Sequence, residues 1–160
     1  MVESREIHER VFLVVVDDSE EMSVALRFAA KRAKHSGGRV ALLYVIEPAE
    51  FQHWMFVGTL MQEEAREQAE HKVGEYSSAV NDVTGQLPIV YIREGNLQNQ
   101  LMKLLMEEPL ISLLVLAAAD SQEGPGPLVS SLTGDMVGGL PVPITVVPGT
   151  LTSEDLDRIT

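Results

Sequence analysis

The chain contains no cysteine, so neither a disulfide framework nor a thiolate metal site is available to it. Basic residues are scarce: 12 Lys and Arg stand against 24 Asp and Glu, a net charge of −12. That balance argues against DNA or RNA as a partner, because phosphate backbones select a basic face. No apolar run reaches the roughly 18–20 residues that span a bilayer. The first residues, Met1-Val2-Glu3-Ser4-Arg5-Glu6, lack the apolar centre of an export signal, and the expectation is a cytoplasmic protein with no membrane partner. Aromatic residues make up only 5% of the chain, with a single tryptophan, Trp54.

What is present is a set of buried-strand patterns separated by helical ones. At 160 residues and 45% hydrophobic content, the chain suits one domain with a sizeable core. Val11 to Val16 is a continuous apolar, β-branched run, the pattern of a strand covered on both faces. It stops at Asp17-Asp18-Ser19, where Asp18 or Ser19 is expected to cap a helix with Glu20 and Glu21 in its first turn. Met22, Ala25, Leu26, Ala29 and Ala33 share one face of that helix, and Gly37-Gly38 ends it.

Val40 to Ile46 reads as a second buried strand, closed by Pro48. Phe51 to Val57 follows without a clear period; it suits a lid, an oligomer contact or a satellite cluster on the domain's own surface. Thr59 to Gln62 has capping-box spacing. Met61, Ala65, Ala69, Val73, Tyr76 and Val80 then mark a long helical stripe. Pro88 to Ile92 is a third strand. Gly95-Asn96 turns into a helix carrying Leu97, Leu101, Leu104 and Leu105, closed by Pro109.

Leu113 to Leu116 reads as a fourth strand that opens into the loop Ala117 to Gly126. A short helix is expected beyond it, running to Gly138-Gly139, and Ile144 to Val147 forms a fifth strand. The tail from Thr152 has the pattern of one or two helical turns capped by Thr152 or Ser153, with nothing to mark a packing face.

Alternating strands and amphipathic helices predict an α/β fold: a single-domain, doubly wound, five-stranded parallel sheet of Rossmann-like type. In such sheets ligands sit outside the carboxyl ends of the strands. Those ends are Asp17, Val45-Ile46 and Ala117-Ala118, which are expected to converge. Asp17 suits either a pocket role or capping. His8, His35, His53 and His71 share no metal spacing, and neither a catalytic carboxylate pair nor a nucleophile elbow stands out. The residues therefore suggest no enzyme.

In four places the chain resembles the universal stress protein family, whose fold belongs with the adenine nucleotide alpha hydrolase-like proteins. Val14-Val15-Val16-Asp17-Asp18-Ser19 is similar to the family's first strand and acidic turn. Leu42-Leu43-Tyr44-Val45 is similar to its second strand, Glu94-Gly95-Asn96 to its third strand–helix turn, and Pro141 to Pro148 to its last strand with a Pro-x-Pro lead-in. The resemblance covers residues 9–149, leaving tails at 1–8 and 150–160. It implies an adenine contact at Val45 and a nucleotide motif, G-x2-G-x9-G-[ST], after the fourth strand.

Counting back from Pro141 puts the three glycines of that motif at Ala117, Asp120 and Ser130, with Ser131 as the hydroxyl residue. Only Ser131 fits. Glycine allows close approach of backbone to phosphate, and Asp120 adds charge of the wrong sign. Gly124 and Gly126 lie in a Gly-Pro-Gly-Pro run whose prolines fix φ and remove two N–H donors. Ser130 and Ser131 suit either an ordinary helix start or a site for a smaller anion.

The expectation is a regulatory or protective, non-catalytic dimer with weak or absent ATP binding. The alternative is a switch in which Asp17, Val45, Ala117, Gly124, Gly126, Ser130 and Ser131 hold ATP or AMP. The resemblance implies a homodimer through the strand Val142 to Val147; a protein partner stays unassigned.

Overall fold

A computed structural model describes residues 9–47 and 59–160, with the side chains of 59–61 left aside. The segment Phe51 to Val57, the tail 1–8 with His8, the capping-box side chain of Thr59 and the stripe residue Met61 thus lie outside the described residues or side chains. Five strands alternate with five helices: β1 (Val11–Val15), α1 (Met22–Ser36), β2 (Arg39–Ile46), α2 (Thr59–Thr84), β3 (Ile89–Glu94), α3 (Leu97–Glu107), β4 (Ile111–Ala118), α4 (Pro127–Thr133), β5 (Ile144–Pro148) and α5 (Ser153–Ile159). The sheet has the order β3-β2-β1-β4-β5, and every pair is parallel. The doubly wound parallel sheet expected from the pattern is the fold observed.

Side-chain alternation divides the core into two layers, as the period of two along a strand requires. Phe12, Val14 and Val16 join Val40, Leu42, Val115 and Val147 on the face covered by α1, α2 and α5. Val11, Leu13 and Val15 join Ala41, Leu43, Leu114 and Leu116 on the face covered by α3 and α4. Leu13, Val14, Leu42, Leu43, Leu114 and Val115 are fully buried. Both layers need apolar residues, so β1 shows a continuous hydrophobic run rather than an alternating one.

Three local expectations change. Helix α1 begins at Met22, and neither Asp18 nor Ser19 caps it; the cap position is Glu21, in helical conformation and without a side-chain bond. The acidic turn instead folds on itself: Asp17 Oδ1 accepts from the Ser19 N–H at 3.1 Å and from its hydroxyl at 2.6 Å. Helix α4 stops at Thr133, short of the glycine pair. Val137–Gly139 forms a separate 3-10 turn, and Gly134 interrupts between them.

The third change is at the C-terminal end, where α5 packs. Leu156 is fully buried in the α1 layer. Lys31 pairs with Asp157, and the His35 ring and the Arg32 guanidinium bond the Thr160 carbonyl at 2.8 and 3.3 Å. A capping box starts the helix: Asp155 N–H donates to the Thr152 hydroxyl at 3.2 Å, and Thr152 N–H donates to the Asp155 carboxylate at 3.0 Å. Two apolar residues in seven, Leu156 and Ile159, of which only Leu156 is buried, are too little periodicity to reveal a packing face in the sequence.

Candidate functional site

Between β1 and β4 the connections leave for opposite faces, β1 into α1 and β4 into α4. This divergence opens a crevice at the carboxyl ends of the two strands. A cleft of about 430 Å³ occupies it. Its apolar lining comes from Met22, Ala25 and Val115 of the α1 layer and from Val15, Leu97, Leu116, Leu128 and Val129 of the α3–α4 layer. Asp17, Ser19, Glu21, Glu47, Asn96 and Gln98 supply the polar side chains. The volume falls in the range of small-molecule sites, about 300–1,000 Å³.

Of the residues singled out from sequence, Asp17, Ala117 and Gly126 line this cleft. Gly126 has φ +109°, and it holds the position before α4 where the chain turns in from the loop. Gly124, φ +102°, shapes the loop through its N–H bond to the Ser121 carbonyl and does not line the cleft. Val45 sits near the end of β2 opposite Arg93, its side chain against the α3–α4 layer, and is likewise outside the lining.

Ser130 and Ser131 sit away from the start of α4. They are its fourth and fifth residues, and the Ser130 N–H is spent on the Gly126 carbonyl at 3.0 Å. The Ser131 hydroxyl donates to the Pro127 carbonyl at 2.8 Å and accepts from the Gln98 side chain at 2.8 Å. Neither serine lines the cleft. At the first helical position Pro127 offers no donor, and Pro125 accepts the Ala119 N–H through its carbonyl at 3.0 Å, bracing the loop.

Glu21, Glu47, Asn96 and Gln98 were missed from sequence. Asn96 and Gln98 follow β3, whose carboxyl end was left out of the convergence. The crossover from β3 to β4 brings the start of α3 over the sheet centre, so this end belongs with the other three. Asn96 also caps α3, accepting the Asn99 N–H at 3.1 Å.

The electrostatics of the cleft have one sign. Among the described residues, its charged lining groups are the carboxylates of Asp17, Glu21 and Glu47, and no Lys or Arg joins them. Lys72 of α2 is spent on the neighbouring Asp18, with its Nζ 2.6 Å from the carboxylate, and does not line the cleft. That hydrogen bond raises the Lys72 pKa above the usual lysine value. Burial, followed by the charge of Asp18, raises Tyr76. Arg10 and Arg32 line a separate, open depression at the amino ends of the strands. Among the described residues no three His, Asp or Glu side chains are placed to hold a metal ion, and no helix is long and apolar enough to cross a membrane.

The fold is a doubly wound α/β sheet with a crevice at its strand ends, and likeness to known proteins narrows its class. The model of the universal stress protein family matches residues 9–148. The chain belongs to that family. Universal stress protein UspA from Lactobacillus plantarum is 20% identical, with TM-score 0.69 over 88% of this chain and 97% of that one. The universal stress protein from Archaeoglobus fulgidus in complex with dAMP is 14% identical, with TM-score 0.57 over 88% and 98%. A universal stress protein in complex with cAMP is 14% identical, with TM-score 0.51 over 89% and 99%. No curated protein sequence matches the chain.

Proposed function

We propose that this protein is a non-catalytic, regulatory or protective universal stress protein that works as a homodimer. It takes a small ligand in the strand-end cleft and binds ATP weakly or not at all. The observation that carries the ATP reading is the charge of the lining: three carboxylates and no cation among the described residues. Polyphosphate binding needs donors and positive charge at close range. Here Pro125 and Pro127 remove two backbone donors, and the Ser131 hydroxyl is already engaged. Dimerisation is supported by β5, which lies at the sheet edge with Val146 exposed.

Calorimetric titration with ATP and Mg²⁺ tests the reading. Expected is no saturable binding in the micromolar range, and a micromolar constant overturns it. Size-exclusion chromatography with light scattering tests the dimer, with a monomeric mass as the adverse result.

The second reading, an ATP- or AMP-binding switch, draws support from the dAMP and cAMP complexes of two relatives with this fold. It predicts that nucleotide co-purifies with the protein and that Ser131→Ala weakens binding.

A further inference from the structure

We infer that the cleft selects an uncharged ligand of nucleoside size and chemistry, and discriminates against the same ligand once it carries phosphate. This rests on the reading of the strand-end cleft as the ligand pocket. The enclosing surface is mostly apolar, with Ala25 and Val115 from the α1 layer and Val15, Leu128 and Val129 from the α3–α4 layer, which suits an uncharged ring. Asn96 and Gln98 border it; with the Asn96 oxygen on the Asn99 N–H and a Gln98 N–H on Ser131, the Asn96 NH2 and the Gln98 oxygen remain to hydrogen-bond a ligand without charge.

Asp17 and Glu47 are solvent-exposed and Glu21 is half-buried, so the negative groups are partly open to solvent while the apolar residues are buried. A neutral ring can enter past such groups, whereas a phosphate attached to it would meet like charge with no cation among the described lining residues to offset it. The charge pattern of the domain points the same way, because Arg10 and Arg32 line the depression at the other end of the sheet.

The test is a charge series on one base: adenosine, AMP and ATP titrated into the full chain by calorimetry at one ionic strength without metal. Expected is saturable adenosine binding, AMP weaker by about tenfold or more, and ATP weaker still. In Glu21→Gln/Glu47→Gln, with folding checked by thermal melting, the gap between adenosine and AMP narrows. Should the pair fail to fold, Glu47→Gln alone serves, because Glu47 is exposed. AMP or ATP binding as tightly as adenosine overturns the inference while leaving the pocket reading intact. An unchanged gap in the neutralised variant overturns the role given to the carboxylates. If none of the three compounds binds, the pocket reading falls and the inference falls with it.

Discussion

The Gln98 side chain donates to the Ser131 hydroxyl at 2.8 Å, tying the first turn of α3 to the middle of α4. Since that hydroxyl also donates to the Pro127 carbonyl, its hydrogen-bonding capacity is directed into the protein. Ser131 therefore acts as a brace between the two helices that carry one wall of the cleft. Although it holds the hydroxyl position of the family's nucleotide motif, Ser131 does not line the cleft.

Replacing it separates the two roles. Ser131→Ala should lower unfolding stability by about 1 kcal/mol, the usual net value of a part-buried hydrogen bond. Adenosine affinity should stay within about twofold, since the residue does not line the cleft. Urea unfolding and calorimetry on one preparation measure both, and a large affinity loss at unchanged stability would return the hydroxyl to the ligand.

Asp18 has φ +61°, the left-handed region that costs an L-residue about 1 kcal/mol or more. Its carboxylate holds Lys72 of α2, an exposed pair worth at most about 1 kcal/mol. Asp18→Gly removes both the strain and the pair and should be nearly neutral. Asp18→Ala keeps the strain and loses the pair, so it should melt clearly lower than the glycine variant. Because the Lys72 pKa is raised, the contribution of the pair is complete below about pH 10 and fades as pH rises through the raised value. The two variants melting together would show that the turn is not strained.

Gly149 closes β5 against β4, its N–H bonding the Ala118 carbonyl at 2.8 Å. A Cβ there would lie 2.7 Å from that carbonyl oxygen and 2.7 Å from Glu21 Cβ. Gly149→Ala must therefore push apart the end of β4 and the start of α1, beside the cleft. The expected loss is about 1–3 kcal/mol, as for overpacking elsewhere. Chemical denaturation checks it, and wild-type stability would mean that the junction yields freely.

Leu156→Ala should cost about 2–5 kcal/mol, because a fully buried leucine leaves a cavity between α5 and α1. A loss below 1 kcal/mol in urea would mean that α5 is only loosely attached.

The cap of α5 should also respond to acid. Hydrogen bonds from the backbone and side chain of Thr152 hold the Asp155 pKa below the usual carboxylate value. A depressed pKa contributes stability that is present above about pH 4 and is lost as pH falls through the folded value. Asp155→Asn should therefore flatten the acid limb of the stability–pH profile, and an unaltered limb would assign it to other groups.

The central strands were legible because β1, β2 and β4 carry apolar residues for two layers, and the helices because Ala29, Ala33, Leu101 and Leu104 repeat at helical spacing. Strand ends gave away part of the cleft: Asp17 and Ala117 follow directly from the switch-point rule. Glu47 and Gln98 were not legible, since a surface carboxylate and an amide on a helix look like ordinary solvated residues. Only the crossover of α3 over the sheet brings Gln98 to Ser131 and to the cleft.

By itself, then, the sequence determined the doubly wound architecture, the family resemblance and the end of the sheet where a ligand would sit. These depend on local periodicity and on glycine and proline spacing, which are properties of neighbouring residues. Tertiary structure decided the sign of the cleft, the use of the Ser131 hydroxyl and the docking of α5. Each of these depends on groups far apart in the chain: Asp17, Glu21 and Glu47 meet with no cation among the described lining residues, Gln98 reaches Ser131, and Leu156 finds the face of α1. No local pattern encodes those distances, because folding alone brings the groups together.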